Sequence, residues 1–401
     1  MLRSIWIFVT LFGLSSKVFA ETSLEFGWNL PAVSTSKFTD WPAVNVKNDQ
    51  TDDVWYKSIP LNDKPSIRLQ LTFTSLPVNN NEWKIVILGK KGSSYLKLEE
   101  IDATKLKGAE LPISYWTKRI VGKSVYEEVA VKYVKRSDHA GLSFSLSKYL
   151  VGKTVSQPKS IFGRNNLEPL SAIMDAKILQ RGKNVAKITF VRNDAESFCS
   201  GFLIAPDLLM TNHHCVMTPS HCQSAEIIFN YLEEDKPDYV TAKKCASIES
   251  LDKDLDYSVL RLDSKNDNAF LPLSIDNLIN TKDDLFVIQH PNGDPLQVAR
   301  HECQVKELNV FGISSLVKTD FTHICDTRGG SSGSPVYSSS GELIGLHHYG
   351  FEKGQTRKLR NHAVYIEPIL DHIKLTTLSV YNEIKLTRPN SLALGGGLQL
   401  Q

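Results

Sequence analysis

Thr327-Arg-Gly-Gly-Ser-Ser-Gly-Ser-Pro335 sets a serine inside a glycine-rich turn. Small residues let the backbone bend sharply and let its amides approach a carbonyl closely. The pattern Gly-x-Ser-Gly-x-Pro falls on Gly330, Ser332, Gly333 and Pro335. Taken alone, such a turn is most often a plain loop, so its meaning depends on what the rest of the chain supplies.

Upstream, Leu208-Leu-Met-Thr-Asn-His-His-Cys-Val216 ends an apolar strand with two histidines and a cysteine. Between the two, Asp256-Tyr-Ser-Val-Leu260 leads a carboxylate straight into a buried strand. Each has an ordinary reading on its own, a structural or solvent-facing histidine and a strand-end carboxylate. Together they run His, Asp, Ser, all joined to strand signals, in the chain order of chymotrypsin and not of subtilisin or the α/β-hydrolases.

Cys199-Ser-Gly-Phe-Leu-Ile204, Thr211-Asn-His-His-Cys215, Asp256-Tyr-Ser-Val-Leu260 and Gly330-Ser-Ser-Gly-Ser-Pro335 resemble four blocks of the chymotrypsin-like serine proteases. The resemblance covers Ile161 to Lys374 and is nearest to the bacterial branch that includes the glutamyl endopeptidases. It implies a two-barrel protease domain with the site between the barrels, His214 and Asp256 from the first and Ser332 from the second. Ser332 is then the nucleophile and His214 its base, while Asp256 holds the imidazole tautomer. His214 is preferred to His213 because it directly precedes Cys215, the place of the catalytic histidine in the family. The amides of Gly330 and Ser332 are expected to form an oxyanion hole, worth about 3 kcal/mol for one donor. The resemblance also pairs Cys199 with Cys215, and Cys222 with Cys245 and Cys303 with Cys325 are the favoured remaining pairs. The substrates implied are proteins or peptides, cut through an acyl-enzyme.

In this family, residues just before the nucleophile and on the strand after it line the specificity pocket, here Asp326, Thr327 and His347. Thr327 and His347 resemble the glutamyl endopeptidase pair and suit a substrate carboxylate, to which a protonated imidazole would add charge. Asp326 departs from that pattern, since trypsin-like enzymes keep at this place the carboxylate that binds lysine or arginine. Asp326 can alternatively serve a structural hydrogen bond. Cleavage after acidic residues is expected ahead of cleavage after basic ones.

The chain has 401 residues and a formal net charge of +2, which points to two folded units and gives no reason to invoke nucleic acid as a partner. Residues 1–20 read as an export signal, with Arg3, an apolar run from Ile5 to Leu14 and cleavage after Ala20. No other stretch is expected to span a membrane. All six cysteines lie in the second half, and an even count in an exported chain argues for disulfides, with about 15 connectivities open from spacing alone. His213-His214-Cys215 and His221-Cys222 are rich in ligand types but lack a CxxC or HExxH frame, and Asp252-Lys-Asp-Leu-Asp256 lacks the glycine and glutamate of a calcium loop. Neither a metal nor another cofactor is expected. A monomer, secreted to the periplasm or the medium, is.

Residues 21–150 hold every tryptophan beyond the leader (Trp28, Trp41, Trp55, Trp83, Trp116) and no cysteine. Ile67, Leu69, Leu71 and Phe73 alternate with Arg68, Gln70 and Thr72, and the pattern recurs around Val129, Val131 and Tyr133. The fold class is therefore all-β: a β-sandwich over 21–150, a connector over 151–166, the barrels over 167–374 and a tail over 375–401. Ile366, Ile369, Leu370 and Ile373, with Pro368 in the first turn, predict one closing helix. The sandwich is either a pro-region, leaving a zymogen cut at Lys159-Ser160 or Arg164-Asn165, or a retained binding module. A catalytically inactive homologue that acts by binding is the remaining reading of the whole chain.

Overall fold

The structure, a computed structural model, describes residues 53–387 except 62–65, 77–82, 107–109, 122–124, 136–142, 152–158, 193–194, 234–240, 267–271, 276–278, 313–316, 351–359 and 385. The expected export signal and its cleavage point, Trp28, Trp41 and residues 388–401 of the expected tail lie outside the described residues.

Among the described residues, eight strands build the first unit: β1 (Asp53–Pro60), β2 (Ser66–Ser75), β3 (Trp83–Lys91), β4 (Ser94–Ile101), β5 (Ile113–Trp116), β6 (Ile120–Val121), β7 (Glu128–Lys135) and β8 (Ser143–Val151). One sheet runs β1-β7-β3-β4, and in the other β2 pairs with β5 and β6 on one side and β8 on the other. Period-2 alternation turns Ile67, Leu69, Leu71 and Phe73 inward against Ile85, Ile87, Val129, Val131 and Tyr133 of the facing sheet, closing one apolar core. The sandwich expected from the alternation is present. Arg68, however, does not face solvent. Its side is covered by the next unit.

A short strand β9 (Lys159–Ser160) and β10 (Leu167–Pro169) lead through helix α1 (Ala176–Gly182) into β11 (Val185–Arg192), β12 (Ala195–Ala205), β13 (Leu208–Thr211), helix α2 (Pro219–Ser224), β14 (Glu226–Phe229), β15 (Thr241–Asp252) and β16 (Tyr257–Leu262). β11 to β16 close a six-stranded barrel in the order β11-β12-β13-β16-β15-β14. Ile188, Leu203, Leu209, Ile227 and Leu260 fill it.

The second half follows with β17 (Leu273–Ser274), β18 (Leu285–Gln289), β19 (Gln297–Ala299), β20 (Val305–Val310), β21 (Asp320–His323), β22 (Thr327–Arg328), β23 (Pro335–Ser338), β24 (Leu343–Tyr349) and β25 (Asn361–Tyr365). Its sheet order is β10-β19-β18-β23-β24-β25-β21-β20, without a ladder from β20 back to β18. The return is made by a single bridge, Asp284 to Gln304, and by Leu285 N–H donating to Cys303 O at 2.8 Å and Val305 N–H to Asp283 O at 3.0 Å. The second barrel is thus a half-barrel pinned shut at one point.

Val185, Phe202 and Met210 of the first barrel share one core with Phe286, Ile288, Tyr337 and Leu346 of the second. The expected closing helix, α3 (Ile366–Thr376), buries Ile366, Ile369, Leu370 and Ile373 on that junction. Beyond it the chain is not simply a tail: α4 (Leu378–Glu383) packs Val380 into the same core, and β26 (Leu386–Thr387) pairs in parallel with β17. The scattered apolar residues Leu378, Val380 and Tyr381 gave too short a period to announce a helix. No helix among the described residues is long and apolar enough to cross a membrane.

Candidate active site

Each candidate side chain leaves the end of a strand at the junction of the barrels. β13 stops at Thr211, and the following turn is tied to β12 by the disulfide Cys199–Cys215. Arg192 donates to the carbonyls of His214 and Cys215 from below. Asp256 precedes β16 in the left-handed region, at φ 47°, a conformation that aspartate tolerates better than most residues. Asn212 Nδ2 holds that turn through the Asp256 carbonyl at 2.9 Å.

This backbone aims the Asp256 carboxylate at His214 twice. Oδ1 accepts the His214 backbone N–H at 2.9 Å, and Oδ2 lies 2.8 Å from its Nδ1. An ionised carboxylate only accepts, so Nδ1 carries the ring proton and Nε2 keeps the lone pair, the tautomer a general base requires. Burial alone would raise the Asp256 carboxyl, but His214 and His348 beside it hold it well below the usual carboxylate range. It is His214, not the neighbouring His213, that meets Asp256. Asp252 is occupied elsewhere, accepting from the amides of Asp254 and Leu255.

The serine turn depends on two glycines with positive φ, Gly330 at 90° and Gly333 at 86°. A Cβ on Gly333 would collide with the Ser200 carbonyl, and one on Gly330 would lie 2.8 Å from His290 O. Ser331, Gly333 and Ser334 donate their amides to Arg328, His347 and Ser331. Gly329 O accepts from Asn292 N–H, so across the planar peptide the Gly330 N–H points the opposite way. Ser332 Oγ donates to the His348 carbonyl at 3.3 Å.

Ser200 was given no role by sequence reading. Its amide donates to Ser332 O at 2.8 Å and its Oγ to Gly330 O at 2.9 Å, while the same Oγ accepts the His290 amide at 2.9 Å. It joins the first barrel to the nucleophile turn. Its place beside Cys199 in a quoted block was the available signal.

Among the pocket candidates, Asp326 takes the structural alternative. Its Oδ1 accepts the Phe162 amide at 2.8 Å and its Oδ2 the Asn166 amide at 2.7 Å. Both oxygens are engaged by the connector, which weighs against a carboxylate free to bind lysine or arginine. Thr327 is buried on β22 and pairs with Ser160 on β9. The Lys159-Ser160 cleavage candidate is therefore part of a ladder, whereas Arg164 and Asn165 are exposed. His347 Nδ1 lies 3.3 Å from Nε2 of His323. Burial, then the imidazoles of His323, His348 and His214, holds His347 well below its ordinary value, so the ring is neutral and the charge that a protonated imidazole would add is absent.

On the opposite face of β24, His348 reaches behind the carboxylate. Its Nδ1 lies 3.5 Å from Asp256 Oδ2, and its Nε2 lies 2.8 Å from Asp320 Oδ2. Strand alternation is what sends adjacent histidines to two different places. The other two disulfides are Cys222–Cys245, fastening α2 to β15, and Cys303–Cys325, bracing the segment before the serine turn. All three pairs are those favoured from the sequence.

Residues 199–346 match the family described as Trypsin-like peptidase domain. The chain is 28% identical over 222 residues to Secreted RxLR effector protein 73 of Plasmopara viticola, an alignment covering 50% of this chain and 53% of that protein. It thus spans about half the length of that relative. The active form of the Rv3671c protease from M. tuberculosis is 18% identical, with a TM-score of 0.41 over 57% of this chain and 94% of the other. A Glu endopeptidase in complex with MPD is 17% identical, with a TM-score of 0.41 over 54% and 99% respectively. The family match spans the strands that carry His214, Asp256 and Ser332. Residues 199–346 form a trypsin-like peptidase domain of the chymotrypsin-like fold.

Proposed function

We propose that the protein is a secreted serine endopeptidase in which Ser332 Oγ turns from the His348 carbonyl to His214 Nε2 and attacks the scissile carbonyl. The two-point contact of Asp256 with His214 carries this reading, because it fixes both the place and the tautomer of the imidazole. His214 takes the serine proton and returns it to the leaving amine. Asp256 stabilises the imidazolium formed between those steps. The Gly330 and Ser332 amides receive the oxyanion. Casein hydrolysis by wild type and a Ser332→Ala variant tests the reading. Hydrolysis confined to wild type is expected; equal hydrolysis by both would overturn the assignment of Ser332, and hydrolysis by neither would make the chain an inactive homologue.

The specificity favoured is for acidic residues. If His323 Nε2–H donates to His347 Nδ1, His347 keeps a proton on Nε2, the donor a substrate carboxylate needs. Asp326 is held by the Phe162 and Asn166 amides and is unavailable for the basic alternative. Mapping cuts in a peptide library decides this: cleavage after glutamate or aspartate is expected, and cleavage after lysine or arginine alone would reverse it.

Three disulfides suit an oxidising compartment, and similarity to a secreted protein supports export. The sandwich reads best as a retained module. Arg68 Nη2 donates to Ser224 O at 2.6 Å, Lys244 Nζ to Trp116 O at 2.6 Å, and Arg119 pairs with Glu196 at 2.5 Å, all between sandwich and barrel. Amino-terminal sequencing of active protein from the medium separates the alternatives. A single end at Glu21 fits retention, and an end within 160–166 fits a removed pro-region.

A further inference from the structure

The back of the Asp256 carboxylate is closed by a second set of buried titratable groups that the proposed mechanism does not use. His348 and Asp320 are both essentially inaccessible. His348 Nε2 stands 2.8 Å from Asp320 Oδ2, and its Nδ1 looks at Asp256 Oδ2 from 3.5 Å. Both partners are carboxylates and only accept, so a neutral ring would turn a lone pair on one of them. Nε2 donates to Asp320, and Nδ1, without a hydrogen-bond partner but facing the Asp256 carboxylate, holds a proton in preference to a lone pair. We propose that His348 is a positioning residue of this active site: a buried imidazolium that, balanced by Asp320, leaves His214 facing one net negative charge.

The charge count carries the argument, which rests on the triad reading above. Asp256 with His348 alone would sum to zero, and the imidazolium formed on His214 during turnover would lose its stabilising field. Asp320 restores a net charge of −1. Burial opposes the cation on His348, but Asp320 and Asp256 outweigh it and push its pKa up to about 9. The same contacts, against the burial that would raise it, bring Asp320 down to about 2. His362 Nδ1 stands 3.3 Å from Asp320 Oδ2 and 3.1 Å from Tyr349 Oη, and Thr319 Oγ1 donates to Asp320 Oδ1 at 2.9 Å. The other ionisable neighbours are His214 itself and, across β24, His347 and His323, both held neutral first by burial. The Ser332 hydroxyl rests on the carbonyl of this same His348, so the residue touches the nucleophile through its backbone and the carboxylate through its ring.

Asp320, His348 and His362 also bring three ligand atoms within 4.8 Å of one another. A 2.8 Å N···O contact is the length of a charge-assisted N–H···O hydrogen bond, and it favours the ion pair over a metal.

Histidine-labelled full chain carrying Ser332→Ala, followed by nitrogen NMR from pH 5 to 10, reads the ring directly. One imidazole, missing in a His348→Gln variant, is expected to remain doubly protonated at pH 8, and Asp320→Asn should lower its titration by about one unit or more. On active enzyme, Asp320→Asn should move the acidic limb of the kcat/KM profile down by about one unit and lower kcat about tenfold, because His214 then faces no net charge. The double variant Asp320→Asn/His348→Gln, with Asp256 the sole charge again, should bring the limb back. A neutral His348 at pH 8, an unmoved limb in Asp320→Asn, or one zinc per chain that Asp320→Asn abolishes would overturn the proposal. The ring titration needs no turnover, so its failure is separate from failure of the triad reading.

Discussion

Where the sandwich meets the first barrel, Arg68 is only 2% exposed, with Nε on Thr117 O at 3.0 Å and Nη2 on Ser224 O at 2.6 Å. Behind the serine turn, His348 is 1% exposed between Asp256 and Asp320. Both are buried cations. The first has backbone carbonyls for partners and a guanidinium that does not release its proton in the working range, so its contact is fixed and structural. The second has carboxylates for partners and can change charge, so its contact can tune chemistry. Burial of a charge alone does not tell structure from function; the titratability of the partners does.

The largest break of this comparison should come from Asp256→Asn. It leaves the Arg68 side untouched and is expected to lower kcat by about 10⁴-fold through loss of the His214 tautomer, with the melting curve still cooperative. Steady-state kinetics beside calorimetry reads both. Arg68→Ala should do the reverse. Leaving the buried Thr117 and Ser224 carbonyls without their donor is expected to cost about 1–3 kcal/mol for each in denaturant unfolding, while kcat/KM per folded molecule stays within about twofold. A loss of kcat/KM in folded Arg68→Ala would mean that the interface also serves the site.

The sequence made one side of this comparison far more legible than the other. His214, Asp256 and Ser332 each sit in a short block with its own strand signal, so local pattern and chain order were enough to nominate them. Alternation put Ile67, Leu69, Leu71 and Phe73 inside, where they are. The same alternation put Arg68 on the opposite face without showing that the barrel covers it, because period 2 gives a face but not what lies against it. His348 and Asp320 lie 28 residues apart and meet through strand pairing across β25, which no local pattern encodes. The partners of Asp326 come from the connector, 164 and 160 residues earlier. Spacing left that residue both a pocket role and a structural one, and only long-range hydrogen bonds distinguish them.

A finer edge on the comparison comes from His347, adjacent to His348 but neutral. His347→Ala should cost about 10- to 100-fold in kcat/KM for acidic peptides, the worth of one hydrogen bond to a charged group, and far less for other substrates. Because the ring is already uncharged, the preference for glutamate should persist from pH 6 to pH 8. A preference that disappears across that range would restore the charged ring.

The smallest effect is on stability in acid. The Asp320 carboxyl has an ordinary value of 3.8, and His348 and His362 bring it to about 2 against the burial that would raise it. A lowered carboxylate contributes stability that is complete above its unfolded value and is lost as pH falls through the folded one. Wild type should therefore lose about 2 kcal/mol on this account between pH 4 and pH 2. Asp320→Asn should lack that component of the slope in pH-dependent unfolding curves. Equal slopes would show that Asp320 is not ionised beside His348.

The central claim, that Ser332 is the nucleophile that His214 and Asp256 activate, is tested most directly with a serine-directed phosphonate. Labelled enzyme is digested and the adduct located by mass spectrometry. A single adduct on Ser332, absent in Ser332→Ala and formed far more slowly in Asp256→Asn, is the predicted result. Stoichiometric labelling of another serine, or an active enzyme that takes no label, would contradict it.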